Sequence, residues 1–94
     1  MSFSNTVTDI IPIGDGWIME YGTFNGASVT TGTITASTVA TYTAKAVISD
    51  VMTWGFANDA DHEVKPARDV YNNQVKITFT TSDTGSYWIV GKAR

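Results

Sequence analysis

The densest oxygen-ligand chemistry in the chain lies at Asn58, Asp59, Asp61 and Glu63, acids and an amide at near-alternate positions, a donor set a hard cation such as Ca²⁺ accepts. The spacing is not that of an EF-hand, which needs a Gly at the sixth position and a closing Glu at the twelfth. An Asx-rich turn uses the same letters for backbone reasons, so no metal site is assigned. His62 is the sole histidine, and Ser49 with Asp50, or Ser82 with Asp83, completes a Ser-His-Asp set on paper. No Gly-x-Ser-x-Gly elbow presents a nucleophile, and triads are defined by geometry. Gly14-Asp15-Gly16 lacks the third Gly and the helix of a phosphate loop. A glycosidase carboxylate pair needs a cleft deep enough to raise one pKa, which a single small β domain seldom provides. The expectation is no catalytic residue, no metal, no cofactor and no enzyme.

Aromatic residues are the second candidate chemistry. Trp17, Trp54 and Trp88 with Tyr21, Tyr42, Tyr71 and Tyr87 suit either a sugar-stacking platform or a packed core, since each ring buries a large apolar area. Trp54 beside Phe56 reads as core. In Tyr87-Trp88-Ile89-Val90 both strand faces are apolar, which implies a central strand or a contact with another subunit. Tyr87 and Ile89 point one way, Trp88 and Val90 the other. One pair shares the core with Val75, Ile77 and Phe79, and the other needs its own cover. The candidate interface residues are therefore Trp88, Val90, Tyr87 and Trp17.

The elements that must position these residues are strands. The chain has no Leu, and about one residue in six is Thr. β-Branched side chains lose freedom in helices and pack well on pleated sheets. Turn chemistry at Gly14-Asp15-Gly16, Asn25-Gly26, Thr31-Gly32, Asn58-Asp59-Ala60-Asp61, Asn72-Asn73 and Ser82-Asp83-Thr84-Gly85 divides the sequence. Between the marks, alternation predicts strands over 6–13, 17–24, 29–36, 39–48, 51–57, 74–81 and 87–90. Pro12 places the first at an edge or strand end. Trp17, Met19 and Tyr21 alternate with Ile18, Glu20 and Gly22. Tyr42, Ala44, Ala46 and Ile48 alternate with Thr41, Thr43 and Lys45, as in a half-buried strand. Met52, Trp54 and Phe56 share a face, as do Val75, Ile77 and Phe79. The Ser-Asp-Thr-Gly turn has hairpin length, which pairs the last two strands. Residues 61–71, rich in charge around Pro66, read as an exposed loop with an edge strand near Glu63 to Lys65. The fold class is all-β, a small antiparallel sandwich or barrel of six to eight short strands in one domain spanning 1–94.

Composition narrows function further. Net charge is −3, with six Lys and Arg among 94 residues, too few and too scattered for phosphate-backbone binding to DNA or RNA. Zero Cys removes disulfides, thiolate metal sites and Cys nucleophiles. No apolar run reaches the roughly 18 residues of a membrane helix, and Met1 to Asn5 lacks the basic and apolar regions of a signal peptide. Folding in a cytoplasm is expected. A chain of 10.2 kDa buries about 64% of its extended surface, one core with little surplus.

The opening Met1-Ser2-Phe3-Ser4-Asn5-Thr6-Val7-Thr8, then Tyr21-Gly22-Thr23-Phe24, Ser28-Val29-Thr30-Thr31-Gly32-Thr33-Ile34 and the closing Gly85-Ser86-Tyr87-Trp88-Ile89-Val90-Gly91, resemble small tailed-bacteriophage virion proteins. Those proteins are about this long, Thr- and Gly-rich and free of Cys. The resemblance implies a structural role as a capsid decoration or stabilisation protein, assembled in a host cytoplasm and carried in the virion. It implies a major capsid protein or other virion protein as partner, and a homo-oligomer, of which the trimer is the form known for such proteins. It carries over no catalytic residue. The alternative of another class is a carbohydrate- or receptor-binding β-sandwich module, tail-associated or free.

Overall fold

Seven strands form two antiparallel sheets in the computed structural model, which describes residues 3–26, 29–41, 43–60 and 63–93. The strands are β1 (Ser4–Gly14), β2 (Trp17–Asn25), β3 (Thr31–Thr35), β4 (Asp50–Asn58), β5 (Val64–Arg68), β6 (Gln74–Phe79) and β7 (Thr84–Lys92). The larger sheet runs β1-β2-β7-β4 and the smaller β3-β6-β5. No helix occurs among the described residues. The all-β expectation holds, with seven strands inside the expected six to eight.

β1 and β2 form a hairpin because Gly14, Asp15 and Gly16 all adopt positive φ, at 119°, 53° and 81°. Two flanking glycines carry that geometry without a Cβ, and Asp is among the few side chains that tolerate it. Alternation then sets the buried faces. Val75, Ile77 and Phe79 of β6 and Tyr87 and Ile89 of β7 point inward, each at most 4% exposed. Ile34 and Ile18 join them, and Phe24 packs against Phe79 and Phe56 at ring separations of 5.8 and 6.0 Å, so the rings tie the two sheets together.

Four expectations are corrected. β6 and β7 are not a hairpin: both flanks of β6 are taken by β3 and β5, and both flanks of β7 by β2 and β4. Residues 80–83 cross between sheets, held by Gly26 N–H donating to Asp83 O at 2.8 Å. The inward rows of β6 and β7 therefore face each other across the core instead of lying side by side. Residues 39–48 form no strand among the described residues, Tyr42 lying outside them. Their Ser and Thr hydroxyls take the backbone instead: Ser37 Oγ accepts from Val39 N at 3.2 Å and Thr41 Oγ1 from Ala44 N at 2.9 Å. Such local bonds compete with a ladder, while Ala44 and Ile48 still reach the core. The charged loop does contain an edge strand, but it is β5, centred on Pro66. Finally, a bulge between Val51 and Thr53 breaks the phase of β4. Val51 is buried with Trp54 and Phe56 packing beside the core, and Met52 is turned out, 50% exposed.

Candidate functional site

The outer face of the four-stranded sheet collects the residues that the core leaves out. Along β2 the inward row is Ile18, Glu20, Gly22 and Phe24, which sends Trp17, Met19 and Tyr21 outward. Register sets them beside β7: Tyr21 opposite Trp88, Met19 opposite Val90 and Trp17 opposite Lys92. β1 adds Ile11 next to Met19, and β4 adds Gly55 next to Trp88 and Thr53 next to Val90. The result is a flat patch of two indoles, a phenol and three aliphatic side chains on one sheet face. Its two ends differ. Lys92 Nζ stands 5.0 Å from the Trp17 ring, a cation–π contact that caps that ring. Trp88 has no such cap among the described residues and is 40% exposed. Its indole packs against Gly55, where an added Cβ would come within 2.6 Å of Cζ2. Only glycine permits that approach.

Of the four candidate interface residues, Trp88, Val90 and Trp17 sit on this face. Tyr87 does not. It is 2% exposed inside the core, because β7 alternates and the pair that meets β6 is Tyr87 with Ile89. It has no surface to offer a neighbour.

Tyr87 instead belongs to a buried polar network. Glu20 is 1% exposed, the one buried charged side chain among the described residues. Tyr87 Oη donates to Glu20 Oε2 at 2.8 Å, and Ser37 N–H donates to Glu20 Oε1 at 2.8 Å. Asn5 Nδ2 donates to Tyr87 Oη at 3.2 Å. The network joins β1, β2, β7 and the segment after β3, with both carboxylate oxygens satisfied. Burial pushes the Tyr87 hydroxyl well above the ordinary tyrosine range, and the neighbouring Glu20 charge and its hydrogen bond push the same way. Strand phase already placed Glu20 with Ile18 and Gly22. Which of the two faces turned inward was decided by partners on distant strands, which no local pattern carries.

The acidic segment is partly described. Asp59 Oδ2 accepts from Thr84 Oγ1 at 2.5 Å and its N–H donates to Thr84 O at 2.8 Å, so Asp59 acts as a turn clamp between β4 and β7. Glu63 pairs with Lys65 at 3.4 Å on the surface. Asp61 and His62 lie outside the described residues, and among those described no group of three His, Cys, Asp or Glu converges.

Comparison with known proteins returns no matching family model, no matching curated sequence and no matching solved structure.

Proposed function

We propose that this chain is a non-enzymatic docking protein, and that its setting is a phage-type virion, where it serves as a capsid decoration or stabilisation protein. The observation that carries the reading is the uncapped outer face, with Trp88 40% exposed among Tyr21, Met19 and Val90. Contiguous apolar patches of this kind mark interaction surfaces, and an exposed Trp within one is the type of residue that dominates interface energetics. The partner is a major capsid protein or another virion protein, and the chain itself associates with further copies. Covering the face would stabilise both partners by mass action. The virion setting draws on the resemblance, which covers both ends of the chain and much of its first half.

The experiment is co-sedimentation of the purified protein with capsid shells, for wild type and Trp88→Ala. Loss of co-sedimentation with folding retained supports the reading. Shell binding that ignores Trp88, Tyr21 and Val90 alike overturns it.

One observation favours the carbohydrate-binding alternative. Tyr21 and Trp88 lie side by side and border a depression of about 520 Å³ that also offers the Thr8, Thr23 and Ser86 hydroxyls. Quenching of Trp88 fluorescence by soluble glycans would move the assignment there.

A further inference from the structure

The two sheets have four edge strands: β1 and β4 in the larger, β3 and β5 in the smaller. A free edge presents unpaired N–H and C=O groups, and proteins blunt such edges with Pro, charge, bulges or brevity. β1 carries Pro12 and two register shifts. β5 is five residues long, with Pro66 at its centre between Lys65 and Arg68. β3 is also only five residues. β4 is nine residues, and after Asp50 it holds neither a charged side chain nor a proline. Its start is covered: Val51 N–H donates to Asn72 O at 2.8 Å, and Arg68 donates to Val51 O. From Thr53 onward the edge is the least protected of the four.

The ladder identifies the groups it presents. Asp59 N–H donates to Thr84 O, and Asn58 stands opposite Gly85. Antiparallel pairs alternate, so residues 57, 55 and 53 turn their backbone groups to β7, and Trp54 and Phe56 turn theirs to the free side. On the inner side of this edge the half-buried Trp54 and Phe56, with Val64 and Pro66 of β5, line a groove of about 480 Å³. On the outer side lies Gly55 under Trp88.

We propose that β4 pairs antiparallel with β4 of a second copy across a two-fold axis at Gly55, fusing two four-stranded sheets into one of eight. The proposal rests on the docking reading above, since it makes Trp88 part of the contact. A second copy is the occupant because residues 53–57 are complementary to themselves about Gly55, as an isologous contact requires. The uncharged run avoids the like-charge pairs that a two-fold otherwise imposes. In the register centred on Gly55, Trp54 of each copy meets Phe56 of the other as a hydrogen-bonded pair, so all four free N–H groups and all four C=O groups find partners. Thr53 stands opposite Ala57, and Gly55 opposite Gly55, about 4.5 Å apart at Cα. That brings the two Trp88 indoles into neighbouring positions, while the groove residues of each copy cover one another on the inner side. The subunit count is two, where the resemblance implies three.

The test is sedimentation equilibrium and NMR amide exchange of the full chain over a dilution series. The expected result is a reversible dimer, with Trp54 and Phe56 amides protected when concentrated and exchanging freely when dilute. Thr53→Lys with Ala57→Lys puts like charges opposite each other at both symmetric positions and raises the dimer Kd about tenfold or more. Thr53→Glu with Ala57→Lys puts opposite charges there and restores it. The two positions are about 13 Å apart within one strand, so rescue arises between copies. Both are exposed, and an unchanged unfolding midpoint reports an intact fold.

A dimer indifferent to both charge pairs but lost on Trp88→Ala overturns the edge contact and leaves the docking reading standing. So does a chain that stays monomeric while binding shells. Slow exchange of Trp54 and Phe56 in the monomer overturns the free edge itself. Protection of those amides only by an extended peptide of a shell protein overturns the second copy as occupant. A charge-sensitive dimer that binds no shell leaves the edge contact standing and removes the docking reading.

Discussion

The two faces of the β2–β7 pair each hold residues of the opposite character: a buried carboxylate among the core side chains and uncovered rings on the outside. The inner face holds a carboxylate, Glu20, beside a phenol, Tyr87, while the outer face holds Trp17, Met19, Tyr21, Trp88 and Val90. Bulk hydrophobicity alone would turn the outer row inward. The inner row wins because Phe24 and Ile18 meet the rings and aliphatics of the smaller sheet, and because every oxygen of Glu20 finds a donor. A buried polar group is costly only when it is left unpaired. The comparison teaches that satisfied polarity and uncovered apolarity belong to one arrangement: the core specifies its register with hydrogen bonds and leaves its spare rings for a partner.

The largest expected effect comes from the inner face. Ile89→Ala empties a site that is 0% exposed and should lower stability by about 2–5 kcal/mol. Val90→Ala, one residue on and facing out, should cost well under half of that in the monomer. Denaturant unfolding of the two variants measures the contrast directly, and equal losses would dissolve the distinction between faces.

Next come the network residues. Glu20→Ala strands the Tyr87 hydroxyl and the Ser37 N–H, for an expected loss of about 2–4 kcal/mol. Tyr87→Phe keeps the ring and removes one donor to Glu20, for about 1–3 kcal/mol. The pH dependence sharpens this. The folded Tyr87 hydroxyl titrates above its unfolded value of 10.0, so its contribution is fully present below pH 10 and is lost as pH rises toward the folded value. Wild type should therefore lose stability steeply above pH 10, and Tyr87→Phe should show a shallower alkaline limb.

The outer face should respond in association and not in folding. Trp88→Ala is expected to leave monomer stability within about 1 kcal/mol while weakening self-association and docking, read by sedimentation beside denaturant unfolding. A mutant that associates normally but loses several kcal/mol of stability would place Trp88 among the internal residues.

The smallest effect lies at Asp69 on the rim of the smaller sheet. The Thr33 hydroxyl at 2.7 Å, then the Val70 N–H and the Lys76 charge, hold its carboxyl below the ordinary value of 3.8. A depressed folded pKa adds stability above pH 3.8 that is lost as pH falls through the folded value. Asp69→Asn should flatten that acid limb slightly.

Much of this was legible along the chain. Val75, Ile77 and Phe79 alternate with Lys76 and Thr78, and they point inward as period two requires. Pro12 marked an edge, and Pro66 sits in another. Alternation separated Trp88 and Val90 from Tyr87 and Ile89, and the packing of the second pair in the core decided which turned outward. What was not legible depended on neighbours. A Ser-Asp-Thr-Gly turn has hairpin length, yet β7 runs nine residues against β2 on one flank and β4 on the other, a longer ladder than six-residue β6 provides. Thr41 and Thr43 fit a half-buried strand by pattern, yet their hydroxyls bonded to each other, to the local backbone and to Ile10 O of edge strand β1 in place of a ladder.

Alone, the sequence determined that the chain folds as β structure, where most strands lie and which residues share a face, because those properties depend on side-chain shape and a two-residue period. Only the tertiary structure decided which face of β2 is the inside, which strands pair, and that β4 ends the larger sheet as β5 ends the smaller. Those outcomes depend on hydrogen-bond partners tens of residues away, as Glu20 does on Tyr87, and a backbone donor has no local signature of the acceptor it will meet.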